Sequence, residues 1–355
     1  MTANASSRPN LTYLINAIDY GGAEIGMVRL LSGLDEEEFD VTVVTLKGAD
    51  PTLVEDLPDH VSLLELGFDS GFRVHGLRSL VGAIRKADVL VGSLFPAIVI
   101  ASVLGTVTRV PAVYTWKHNT TEGSVVSRAI NKLSFRLSES VLVDSEATRE
   151  LVIRWGVSDH RIRKLPISGI DVDDYSAVDH EGVGDDVRIG TIGSLTEQKG
   201  YPELLACAAR LPEYEFHVVG DGPLAEELDW GLDNVVRHGT VTQEELKTLL
   251  PSFDVYFQPS RWEGLCITAI EGMASGLPVV GSSVDGLTES VVHGETGYLV
   301  EQGNVDGYRS RLEELGNDPE LRAQLGAAGR ERVRNAYSVD AFVDEFRDLV
   351  SDSNG

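Results

Sequence analysis

The sequence predicts an α/β protein made of two doubly wound, Rossmann-like domains facing an interdomain cleft. Three observations carry that expectation. The chain has 355 residues, about twice the length of a typical single domain. Short β-rich apolar runs alternate with stretches of helical periodicity. A segment rich in Asp and Gly, residues 171–186, divides those runs into two series.

The first series offers strands at 11–18, 41–46, 61–64, 89–92, 112–115 and 141–143, with helical patterns between them, as at 23–34 and 77–85. The second offers strands at 187–192, 216–219, 235–236, 255–258, 278–280 and 298–300. All are short, apolar and flanked by Gly, Pro or Asp, as strands buried on both faces of a parallel sheet are. Residues 312–349 read as helix, with Pro319 and Gly326 as interruptions. Taking 171–186 as a linker gives domains at 1–175 and 176–335, and a terminal helix at 336–355 returning to the first domain.

Composition narrows the function. Hydrophobic residues make up 42% of the chain, enough for two cores, and no apolar run is long enough to span a membrane. The polar start, 1–10, lacks the apolar core of a signal peptide, so cytoplasmic residence is expected. Cys207 and Cys266 have no metal-ligand spacing and read as small buried apolar residues. A net charge of -26 excludes a nucleic-acid partner, because neutralising phosphates needs a basic footprint. Seven lysines against 23 arginines, with 56 acidic residues, suggest a halophile-like chain in high cytoplasmic salt, where screening tempers self-repulsion.

The chemistry concentrates in Pro259-Ser-Arg-Trp-Glu-Gly-Leu-Cys-Ile267 and the helical pattern that follows it. A strand ends at Gln258, a turn carries Glu263 and Gly264, and a helix begins near Ile267. Glycine lets a ligand approach the backbone, and a helix start presents free N–H groups that suit a diphosphate. Glu263 and Glu271 stand eight apart and can face one cleft. Each carboxylate accepts two hydroxyl hydrogen bonds, which suits a sugar and a ribose. The competing reading is two solvated carboxylates in an acid-rich protein.

This stretch resembles the paired-glutamate signature of family 4 glycosyltransferases, which have the GT-B fold and retain anomeric configuration. Other segments resemble the family in the same order. They are Asp19-Tyr-Gly-Gly-Ala-Glu24, Leu165-Pro-Ile-Ser-Gly-Ile-Asp171, Ile192-Gly-Ser-Leu-Thr-Glu-Gln-Lys-Gly200, Val219-Gly-Asp-Gly-Pro223 and Arg237-His-Gly-Thr-Val241. The likeness spans roughly residues 11–335.

The resemblance implies that Glu271 holds the donor ribose hydroxyls and Glu263 the sugar hydroxyls. It places the amides of Gly264, Leu265 and Cys266 near sugar and phosphates, and Lys199 against the diphosphate charge. Val241 would contact the base through its backbone. Gly21 and Gly22 would line the phosphate side from the first domain. His118, in Tyr114-Thr-Trp-Lys-His-Asn119, resembles the family histidine that faces the donor sugar across the cleft; a structural histidine is the competing reading. One departure matters: Ser194 stands where the family usually carries arginine. Another cation could substitute (Arg261 is nearby in sequence), the phosphate could be held more weakly, or activity could be lost.

Catalysis would stabilise charge building on the departing diphosphate. The sequence names no nucleophile on the correct face, which favours same-face attack with the diphosphate as base. No Asp-x-Asp motif lies at a strand end, the resemblance implies no metal, and no cofactor is expected because the nucleotide sugar is a substrate. Asp171-Val-Asp-Asp174 lies in the linker and reads as surface charge.

Residues 123–138 contain no acidic residue, and Arg128, Lys132 and Arg136 recur every four residues beside Val125, Val126, Ile130, Leu133 and Leu137. The pattern fits either an amphipathic helix touching anionic lipid at the inner membrane face or an ordinary surface helix. The acceptor would be a hydroxyl, lipid-linked or on a glycan, and the donor a UDP- or GDP-sugar. Competing functions are a non-catalytic nucleotide-sugar-binding partner, a GT-B epimerase or a phosphorylase, the last lacking a recognisable pyridoxal lysine. A nicotinamide dehydrogenase would need Gly-x-Gly-x-x-Gly after the first strand, where Asp-Tyr-Gly-Gly-Ala stands.

Overall fold

Apolar runs in the first half of the chain form a seven-stranded parallel sheet. Its strands are β1 (Asn10–Ile15), β2 (Asp40–Thr45), β3 (Ser62–Glu65), β4 (Val89–Ser93), β5 (Ala112–Lys117), β6 (Ser140–Val143) and β7 (Ile162–Lys164), in the order β3-β2-β1-β4-β5-β6-β7. The second half gives a six-stranded parallel sheet of β8 (Arg188–Ile192), β9 (Glu215–Val219), β10 (Val235–Gly239), β11 (Val255–Gln258), β12 (Val279–Ser282) and β13 (Gly297–Val300), in the order β10-β9-β8-β11-β12-β13. The computed structural model describes residues 8–19, 21–68, 74–120, 124–180 and 187–352.

In both sheets the first strand lies between the second and the fourth, so strand order reverses there and a crevice opens beyond the carboxyl ends. The loops after β1 and β4 flank that point in one sheet, and those after β8 and β11 in the other. The strands that frame it are buried, Leu11 and Tyr13 in β1 and Ile189 and Phe257 in β8 and β11 each being 0% exposed. Burial on both faces is why these segments read as unbroken apolar runs.

The chain divides into a unit of residues 1–169 and 339–355 and a unit of residues 170–338. The terminal helix Val339–Asp352 buries Phe342, Val343 and Phe346 in the first unit, beside helix Gly22–Gly33.

Three features differ from the sequence expectations. The strand β7 went unrecognised, since Arg163 and Lys164 face solvent on a three-residue edge strand. Gly326 does not interrupt a helix. It lies inside Pro319–Ala336, where an added Cβ would stand 1.8 Å from the Gly276 carbonyl, so close approach of backbone requires it. The segment 171–186 is more than a linker. The hydroxyl of Tyr175 donates to Glu271 Oε1 at 3.2 Å, and Arg330 donates to the Val172 and Tyr175 carbonyls. Those contacts hold the segment to the second unit and move the division from 175 back to 169; residues 181–186 lie outside the described residues.

Candidate active site

In the second unit, two loops meet beyond the carboxyl ends of adjacent β8 and β11. Gly200 adopts φ +69°, and an added Cβ would stand 1.9 Å from the Pro259 carbonyl, so only glycine lets the loops close. The Arg261 amide donates to the Gln198 carbonyl at 2.7 Å, a second tie between them. Thr268, in the first turn of helix Ile267–Ala274, donates to the Ile192 carbonyl at 3.2 Å and anchors that helix to β8.

Glu263 sits where the loops join and is 3% exposed. Lys199 Nζ donates to its Oε1 at 2.7 Å, Ser260 Oγ donates to the same oxygen at 2.7 Å, and Gln198 Nε2 donates to Oε2 at 3.2 Å. A carboxylate has about four lone-pair positions, so one remains for an incoming hydroxyl. Burial pushes the Lys199 ammonium pKa down, but the adjacent Glu263 carboxylate outweighs it and holds Lys199 above its ordinary value. The ammonium has three donors and spends one on Glu263, which leaves two for an anion.

Glu271, eight residues on in helix Ile267–Ala274, is 1% exposed and accepts from Tyr175. Both glutamates are thus buried, and the reading of them as solvated surface carboxylates fails. No side chain caps the helix at Cys266, and the positive end of its dipole lies at this turn. Gly286 N–H lies 3.5 Å from the Glu263 carbonyl, and an added Cβ there would stand 2.1 Å from the Gly264 carbonyl, so helix Asp285–Ser290 backs the turn. Leu265 is partly buried, and Cys266 is buried. Burial, then the Glu263 charge, pushes the Cys266 thiol up to about 11, so it is no nucleophile at neutral pH.

Three further candidates belong to the same unit. Ser194 is exposed after β8. Arg261, the sequence-adjacent substitute for the missing arginine, directs its guanidinium to Glu203 at 3.3 Å. Val241 lines a pocket of ≈ 490 Å³ with His238 and Leu249.

In the first unit, His118 follows β5 and is held at both ring nitrogens. Nδ1 lies 3.0 Å from Asp144 Oδ2, and Nε2 lies 2.7 Å from Ser93 Oγ. Asp144, 2% exposed, also accepts from Trp116 Nε1 at 2.6 Å. An ionised Asp144 can only accept, so Nδ1 carries the hydrogen, and Nε2 shares a hydrogen bond with the Ser93 hydroxyl. Sequence reasoning missed both partners; their only signal was a polar residue at the end of a buried strand.

Gly21 caps helix Gly22–Gly33, where an added Cβ would stand 2.3 Å from Glu24 Oε2. The Glu24 carboxyl therefore covers Gly21, while Gly22 is exposed. Burial, foremost, raises the Glu24 pKa.

Lys117 precedes His118 and is pushed down to about 8 by burial, against the opposing pull of Asp144. The unfolded value is about 10.4, so between about pH 8 and 10.4 the unfolded chain binds more protons. Stability contributed by this residue rises with pH across that window. Urea midpoints measured from pH 7.5 to 10.5 will therefore rise less in Lys117→Met than in the parent; parallel curves would refute the assignment.

Two family models match the chain: a glycosyl transferase 4-like domain over residues 21–167 and glycosyl transferases group 1 over residues 178–332. A lipopolysaccharide core biosynthesis glycosyltransferase of Rhizobium meliloti is 29% identical over 45% of this chain and 48% of its own length. The chain thus spans about half the length of that relative. An uncharacterized glycosyltransferase of Haemophilus influenzae is 24% identical over 95% of this chain and 98% of its own. Among solved structures, Anabaena HepE in complex with UDP and glucose has a TM-score of 0.84 at 18% identity, covering 97% of this chain and 100% of that one. Sucrose-phosphate synthase from Thermosynechococcus elongatus has a TM-score of 0.79 at 20% identity, covering 97% and 99%. At those identities the structures speak for the fold, two parallel-sheet Rossmann-like domains. With the two family models together taking in most of its length, the chain belongs to the family 4-type glycosyltransferases of GT-B fold.

Proposed function

We propose that the protein transfers a sugar from a nucleotide-diphosphate donor, a UDP- or GDP-sugar, to a hydroxyl acceptor with retention of configuration and without a metal. The carrying observation is the buried Lys199–Glu263 pair at the strand-order reversal of the second unit, beside an uncapped helix start. In this reading Lys199 and the amides from Gly264 to Cys266 take the diphosphate, where leaving-group charge develops. Glu263 offers its remaining lone pair to a sugar hydroxyl, and Glu271 binds the ribose. Val241 meets the base, and Ser194, Gly21 and Gly22 lie on the phosphate side. His118 serves the sugar from the first unit, its orientation fixed by Asp144 and Ser93. The mechanism we favour is same-face attack, with the diphosphate as base. The acceptor class includes lipid-linked hydroxyls, and the site of action is the cytoplasm, with a peripheral contact at the inner membrane face through residues 123–138. HepE, solved with UDP and glucose, lends support to a nucleotide-sugar donor.

A panel of UDP- and GDP-sugars tests this. A donor at about 100 times its dissociation constant should stabilise the protein by about 2.7 kcal/mol. Nucleotide should then be released in the presence of a hydroxyl acceptor and EDTA. A panel in which no nucleotide sugar shifts the melting curve refutes donor binding. Ser194, uncharged where the family usually has arginine, favours a second reading as a non-catalytic nucleotide-sugar-binding partner; binding without release would select it.

A further inference from the structure

Helix Val125–Leu137 is turned against its own hydrophobic pattern. It buries Asn131, Ser134 and Phe135, at 8%, 2% and 0% exposure. It leaves Val125, Val126 and Leu133 exposed at 75%, 68% and 58%, with Ile130 and Leu137 at 36% each. A surface helix ordinarily directs its apolar stripe inward and its polar face to water. Here two serines, an asparagine and one phenylalanine take the inner positions, Ser134 and Ser138 returning their hydroxyls to the helix's own carbonyls.

The neighbouring helix Ala97–Thr108 extends the same surface. The two helices pack together, Ile98 meeting Phe135 in one buried cluster. Val103 and Val107, one turn apart, are 39% and 72% exposed. Of the eleven exposed large apolar residues among the described residues, seven lie on these two helices. Scattered exposed apolar side chains are ordinary, whereas this concentration marks a surface that meets something.

Charge identifies what it meets. The two helices carry Arg128, Lys132 and Arg136 and no acidic residue, in a chain of net charge -26. An apolar face with a basic border, on an otherwise acidic protein, complements an anionic bilayer and orients the molecule on it. A second copy fits poorly, because a two-fold contact sets each patch against itself and brings Arg128, Lys132 and Arg136 together with their equivalents.

We propose that helices Ala97–Thr108 and Val125–Leu137 form one docking face for an anionic lipid surface, with the exposed valines and leucines entering the headgroup boundary. This deepens the peripheral contact named above and is independent of sugar transfer, which nucleotide release measures separately. The test is flotation of the full chain with vesicles of phosphatidylglycerol and phosphatidylcholine in equal parts, against vesicles of phosphatidylcholine alone. The parent should float with the anionic vesicles and fall away as salt is raised. Arg128→Gln/Lys132→Gln/Arg136→Gln should bind about a hundredfold more weakly, each surface cation being worth about fivefold. Val126→Asn/Leu133→Asn, which alters only exposed side chains, should lose about tenfold or more while melting like the parent. Three results overturn the proposal: no flotation of the parent, flotation retained in full by both variants, or a parent dimer in sedimentation that the Asn variant dissociates.

Discussion

Glu271→Gln will lower kcat/KM for the nucleotide sugar by at least about a hundredfold and leave the fold intact. Glu271 is 1% exposed and accepts from the Tyr175 hydroxyl at 3.2 Å. Glutamine preserves shape and a carbonyl oxygen that can still accept from Tyr175, so no cavity forms and no hydroxyl is orphaned. It replaces the other oxygen by an N–H₂ group, which cannot accept. Hydrogen bonds to a charged group are each worth about 1.5–3 kcal/mol, and a ribose diol makes two to one carboxylate. Losing the charge and one acceptor together therefore costs about 3 kcal/mol in donor binding, a factor of about a hundred. The measurement is nucleotide release against donor concentration, with the donor-induced melting shift alongside. An unchanged kcat/KM with an unchanged shift would remove Glu271 from the donor site.

The paired glutamates were legible because chemistry with a fixed backbone context leaves a local trace. A glycine turn between an apolar strand and an apolar helix, with Glu at 263 and 271, shows in the sequence. The groups that hold Glu263 were not. Gln198 and Ser260 belong to two loops that only strand order brings together, and neither residue type announces such a role. Asp144 and Ser93 escaped for the same reason, as His118 reaches them from different strands. Buried parallel strands were legible as unbroken apolar runs, and β7 was missed because edge exposure removes that signal. Gly326 was misjudged because its cause is tertiary: the Gly276 carbonyl it must admit comes from fifty residues earlier. Helix Val125–Leu137 shows the limit most clearly. Its periodicity gave the two faces, but periodicity does not say which face turns inward.

Lys199→Met will destabilise the second unit by about 3–5 kcal/mol, and adding Glu263→Gln will restore most of that without restoring transfer. The pair is nearly dry, with side chains 13% and 4% exposed. Removing the ammonium leaves Glu263 with the neutral donors Ser260 and Gln198, and an uncompensated buried charge carries that order of penalty. Glutamine at 263 removes the charge itself and keeps an acceptor for Ser260, so the double variant no longer confines an unpaired anion. Stability and activity should therefore separate: the double variant melts near the parent, yet lacks both the cation for the diphosphate and the carboxylate for the sugar. The pH dependence follows from the same pair. Lys199 is held above its ordinary value, so its contribution is fully present below the unfolded value of about 10.4 and is lost only as pH rises above that. The stability gap between parent and Lys199→Met should accordingly be flat from pH 7 to 9. Urea unfolding of the three variants, paired with nucleotide-release assays, reads both halves. A double variant as unstable as Lys199→Met would show that packing of the lysine stem, and not the ion pair, holds the loops. One that regained transfer would end the case for this cluster as the place where the donor's charge is met.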